Sequence, residues 1–141
     1  MKNLLRNILA IVLGVVIGGY INMQIIIHVT SIIPAPAGAD VTTTEGLKAA
    51  LHLFTPINYI MPFLAHALGT FVGAFIAYLI AAKNKMRIAL TIGAIFLVGG
   101  IMSVIELPAA IWFSVLDLVA AYFPFAFIAA KLGGFIQRNE S

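Results

Sequence analysis

Long apolar runs follow one another along the chain, and the polar residues inside them are few enough to name. The run from Pro62 to Ala82 holds no formal charge. At ~1.5 Å per residue, its roughly 20 residues cover a hydrocarbon core of ~30 Å. Within it Ala65, Gly69, Gly73, Ala77 and Ala81 recur every four residues. On a helix they form a smooth strip against which a second helix packs closely. His66 lies beside that strip, followed at the same spacing by Thr70, Ala74 and Tyr78. A histidine about ten residues, or ~15 Å, into a membrane helix is expected to face a neighbouring helix or a wet cavity and to need a partner there.

The same pattern predicts three further spans. Lys2 and Arg6 precede an apolar run whose helix is placed at about residues 7–30, with Gly14 and Gly18 as a small-residue pair and Asn22 one turn on. Gln24 and His28 share a face of its polar far half. A signal peptide, cleaved near Ala35 to Ala39, is the alternative, but a signal core has only about 7–15 apolar residues. The remaining helices are expected at 56–82, bent at Pro62, at 88–106, and at 108–133 with Pro108 in the first position. Asp117 falls inside the last span, Trp112 near its outer end, and Gln137 to Ser141 form a polar tail.

Residues 31–55 form the one sizeable loop. Pro34, Pro36 and Gly38 interrupt helix at its start. Thr42 and Glu45 have the spacing of a capping box. The segment after them puts Leu47, Ala50, Leu51 and Phe54 on one side and Lys48 and His52 on the other, which predicts a short helix lying in the interface. Tyr59 is expected at headgroup level as an aromatic anchor.

Composition agrees with the pattern. The 141 residues are 62% hydrophobic and 9% charged, against about 25% charged in soluble domains. The chain reads as one all-α membrane domain, a four-helix bundle running up-down-up-down. Basic residues set its orientation. Lys2, Arg6, Lys83, Lys85, Arg87, Lys131 and Arg138 fall at one end and only Lys48 at the other. In a bacterial cell this puts both termini in the cytoplasm, the chain in the inner membrane and the loop in the periplasm. The net charge of +3 is spread over turns and termini, so nucleic acid is no expected partner. The absence of cysteine excludes disulfides, thiolate catalysis and Cys-ligated metal. A weak parallel repeat is also present: Arg6 and Gly18-Gly19 match Arg87 and Gly99-Gly100, and Ala74 to Ala77 match Ala126 to Ala129.

Depth organises the polar residues. His66, Asp117 and Asn22 fall at similar heights in the outer half, with Gln24, His28 and Glu106 at that level or nearer the surface. The inner half is nearly apolar. These six residues are the candidate lining of an outward-facing polar pocket, in which His66 and Asp117 could pair, relay a proton or hold a polar group. The bland alternative is a polar bond that merely joins two helices, and such bonds average only ~0.6 kcal/mol. Gly14, Gly18, Gly69, Gly73 and Ala77 are assigned to helix packing. His28 and His52 lack metal-ligand spacing with Glu106, so neither metal nor cofactor is implied. No GxSxG, HExxH or phosphate-loop motif is present.

His52-Leu53-Phe54, the run Pro62 to Ala74, the loop residues Pro34, Pro36, Gly38, Asp40 and Val41, and Leu116-Asp117-Leu118 with Tyr122 together cover most of the chain. In these segments it resembles a family of small bacterial four-helix integral membrane proteins of unknown function. That resemblance implies a topology and no mechanism. The chain lacks the acidic residue in the first helix of small drug exporters and the Phe/Thr-rich pore segment of fluoride channels. Three functions stay open: binding or transport of a small molecule or lipid, with a homodimer as an expected assembly; an enzyme acting on a lipid or isoprenoid, the less favoured reading; and a structural subunit of an envelope complex.

Overall fold

Glycine and alanine at four-residue spacing bring the first two long helices together. In the computed structural model, which describes residues 1–139, α1 (Lys2–Ile32) crosses α3 (Ile60–Ile80). A methyl group on Gly14 would lie 2.7 Å from the carbonyl oxygen of Gly73, and one on Gly18 would lie 2.5 Å from that of Gly69. Gly14 also faces Ala77. The contacts run in opposite chain directions, and the backbones touch where any side chain would separate them. Asn22 continues the contact by packing its Cβ against Gly69.

The fold is all-helical, with no strand among the described residues. Four helices or helix pairs are long and apolar enough to cross a membrane, the signature of a multi-pass membrane protein. Helix α3 is central and packs on α1, on α4 (Lys85–Glu106) and on α6 (Phe123–Asn139). The interior is built from small residues, with Ala74, Ala77, Ala89, Ala126 and Ala129 fully buried around Ile92. Large side chains such as Val16, Ile105, Val119 and Phe135 point outward. That inversion suits a chain whose solvent is hydrocarbon, where helices associate by close packing rather than by expelling water.

Several boundaries differ from the sequence expectation. Helix α1 is longer at both ends. The second span starts with a 3-10 turn, Pro56–Tyr59, before α3 begins, so Pro62 sits in the first turn of an α-helix, where its missing N–H costs nothing, rather than at an interior bend. The turn is closed by Thr55 and Asn58, a reciprocal cap that the sequence reading did not identify. Helix α4 starts after Asn84, which takes a left-handed conformation (φ 54°). The fourth span is two helices: α5 (Ile111–Ala120) and α6 are separated at Ala121 and Tyr122. Pro124 accounts for the break, because it has no N–H for the carbonyl of Ala120. Pro108 lies ahead of the helix rather than opening it. Gln137 belongs to α6, where it accepts a hydrogen bond from Lys85 Nζ at 2.7 Å and donates to Leu79; of the predicted tail, residues 140 and 141 lie outside the described residues.

The short helix expected in the loop is α2 (Thr44–Ala50), but its cap is Thr43, which accepts from Gly46 N at 3.0 Å. Thr42 instead donates both its N–H and its hydroxyl to Asp40 Oδ1. These two bonds hold the Asp40 carboxyl below the usual carboxylate range. At the opposite end of the bundle, Asn7 Oδ1 accepts from Ala82 N at 2.8 Å and Arg6 Nε donates to Ile80 O at 2.6 Å. Arg6 thereby satisfies a carbonyl that α3 leaves open at its C-terminus, and Asn7 satisfies an N–H of the turn that follows.

Candidate functional site

Helix α3 presents His66 and α5 presents Asp117 to the same point. His66 Nδ1 lies 2.9 and 2.8 Å from the two carboxyl oxygens of Asp117. The Asp117 side chain is 3% exposed and that of His66 21% exposed. Tyr122 donates its hydroxyl to Asp117 Oδ2 at 3.0 Å, and its ring stacks against the imidazole with centroids 5.8 Å apart. A carboxylate only accepts hydrogen bonds. With Asp117 ionised, Nδ1 carries the proton and Nε2 is left for other partners.

The helix break puts Tyr122 there. Five residues apart on one continuous helix, Asp117 and Tyr122 would point in different directions, since facing positions are three or four apart. The turn at Ala121 and Tyr122 swings the ring back over the carboxylate. Gly100 of α4 makes room: a methyl group there would collide with the Tyr122 hydroxyl. Sequence reasoning missed Tyr122 as a site residue because its period was taken as unbroken; Pro124 was the available signal.

Two cavities meet at His66. The first, about 250 Å³, reaches from Asp117 and His66 to the loop, where Leu47, Leu51 and Phe54 form part of its wall. Its lining is largely apolar and aromatic. The face of α2 and its continuation predicted to be apolar is the one turned inward, while Lys48 and His52 border a separate surface cleft. Tyr59 is not an outward anchor. It is 5% exposed, stacks on Phe113 at 4.4 Å and accepts a hydrogen bond from Ala110 N. The second cavity, also about 250 Å³, adjoins the first at His66, Gly100 and Ser103 and is lined as well by Asn22, Phe96 and Tyr122. Asn22 Oδ1 is buried without a hydrogen-bond partner.

The six predicted lining residues therefore divide. His66, Asp117 and Asn22 are gathered around the cavities. Gln24, His28 and Glu106 line neither. On α1, Gln24 lies about 200° round the helix from Asn22 at ~100° per residue. His28 is exposed and donates to the carbonyl of Gln24 at 2.8 Å, and Glu106 is exposed at the end of α4. Depth alone grouped them, whereas rotation about the helix axis separates them. Among the described residues no His, Cys, Asp and Glu cluster could hold a metal ion.

Compared with protein-family models, curated proteins and solved structures, the chain finds no match in any. Inference about its function rests on the residues and their geometry.

Proposed function

We propose that the protein is an inner-membrane carrier or binding protein whose His66–Asp117–Tyr122 cluster receives the polar end of a small, mostly apolar molecule from the outer side. One observation carries this reading: a nearly fully buried carboxylate, paired with an imidazole, sits in the wall of a largely apolar cavity. A carboxylate at membrane depth is costly and marks function by default, and the hydrogen bonds that join the helices there return only ~0.6 kcal/mol each. The basic residues support the direction. Seven of the eight lie toward one end of the up-down-up-down bundle, and the positive-inside rule puts that end and both termini in the cytoplasm. The cavity wall formed by the loop then faces the periplasm.

Acid–base chemistry by His66 would use the same geometry, with Asp117 orienting the ring and Nε2 transferring the proton. No hydroxyl nucleophile is hydrogen-bonded to the imidazole among the described residues, so binding is the better-supported reading. The test is ligand-induced thermal stabilisation in nanodiscs across a set of neutral amphiphiles. Wild type gains melting temperature with at least one of them, while folded Asp117→Asn and His66→Ala gain none. An equal response of all three proteins would remove the cluster from the site. Turnover of the stabilising compound would reassign the protein as an enzyme.

A further inference from the structure

The surface cleft beside the loop differs from the cavities at His66 in its charge. It measures about 480 Å³ and is lined by Lys48 and His52 and by residues 108–111, which lead into α5. No Asp or Glu lines it. Both basic residues are exposed, and Lys48 forms no ion pair among the described residues, Glu45 three positions earlier included. His52 donates from Nδ1 to the carbonyl of Ala49 at 2.7 Å, which leaves Nε2 for a partner outside the chain. Of the eight Lys and Arg, Lys48 alone lies at the loop end. An apolar stripe starts at the same place. Ile111, Val115 and Val119 recur every four residues on α5 and are all exposed, and Ile111 also lines the cleft. A cationic pocket at the head of an outward apolar stripe has the two halves of a lipid site.

We infer that the cleft holds the phosphate of an anionic phospholipid from the leaflet that meets the loop, with Lys48 Nζ and protonated His52 Nε2 donating to its oxygens and an acyl chain lying along Ile111, Val115 and Val119. Ammonium-to-phosphate bonds are charge-assisted and favour an anionic head over a zwitterionic one, whose own cation competes for the phosphate. This site is separate from the one at His66 and does not depend on a ligand there.

Trp112 reports on this place, because it is the single tryptophan, follows Ile111 in the chain and is half exposed. The experiment reconstitutes the full chain at low salt into phosphatidylcholine vesicles that contain phosphatidylglycerol, with one or the other lipid brominated on its acyl chains, and reads the quenching of Trp112. In wild type, phosphatidylglycerol occupies the position beside Trp112 about fivefold more than its mole fraction gives, the effect of one lysine near an anionic headgroup. Lys48→Gln, or Lys48→Ala should the glutamine fail to fold, brings that preference to unity. Lys48→Arg keeps it, as does Lys83→Gln at the other end of the bundle. No preference in wild type overturns the inference, and so does a preference that survives the loss of Lys48. If millimolar inorganic phosphate abolishes the preference while chloride of equal ionic strength does not, the occupant is a free anion and the lipid assignment falls.

Discussion

Around the Lys83–Arg87 turn the bundle interior is alanine and glycine, with Ala77, Ala89, Ala129 and Ala130 packed about Ile92. Beneath the loop it is aromatic and polar, with Tyr59, Phe113, Asp117 and Tyr122 buried beside open space. The same four spans build both ends. Small residues let backbones touch and leave no volume. Large rings hold the helices apart, and the broken fourth span supplies a segment, α5, that packs less closely on its neighbours. A closed end and an open end thus follow from residue size, and the chemistry-bearing groups lie where the space is.

Breaking the closed packing should have the largest effect. Gly73→Val puts a branched side chain 2.6 Å from the carbonyl oxygen of Gly14. We expect a loss of ~3 kcal/mol or more in reversible detergent unfolding. Gly19→Val is the control. A methyl group there meets nothing within 4 Å, and the change should stay within ~0.5 kcal/mol. Equal losses would mean that the glycine contact does not organise the bundle.

The cluster at the open end comes next. Asp117→Ala strands the His66 and Tyr122 donors and should cost ~2 kcal/mol. Asp117→Asn keeps a hydrogen-bonding side chain and should cost about half of that, so stability and binding can be separated. Tyr122→Phe removes one bond and should cost ~0.6 kcal/mol. If Tyr122→Phe proves as damaging as Asp117→Ala in the same unfolding assay, the tyrosine rather than the imidazole is the main partner of the carboxylate.

How much of this was legible in the residues differs between the ends. The glycine crossing could be read directly, because a four-residue period is also a helical face: Gly14, Gly18, Gly69 and Gly73 lie at the crossing. The meeting of His66 with Asp117 could be read from depth, since hydrocarbon leaves few places for either group. Tyr122 could not be read that way, because its position depends on a break in the period. Gln24 and Glu106 were misplaced for the opposite reason: depth without helical rotation does not say which way a side chain points. The Thr43 cap was missed by one residue because Asp40 captures Thr42.

The smallest effect lies in the loop over the open end. The Asp40 carboxyl titrates below its ordinary value of 3.8, so its hydrogen bonds to Thr42 stabilise the loop above that pH. The contribution is lost as pH falls through the lowered value. Limited proteolysis of residues 36–44 should therefore rise on acidification below about pH 4, and Asp40→Asn should show no such step. Proteolysis that rises equally in both proteins would place the pH response elsewhere.

Accessibility tests the central claim most directly, and a chain without cysteine makes the measurement clean. Ser103→Cys lines both cavities at His66, and Ala89→Cys lies in the closed alanine core. A small membrane-impermeant thiol reagent should label Ser103→Cys in right-side-out vesicles, leave it unlabelled in inside-out vesicles, and leave Ala89→Cys unlabelled in both. Labelling of Ser103→Cys from the cytoplasmic side alone, or from neither side, would contradict an outward-opening site.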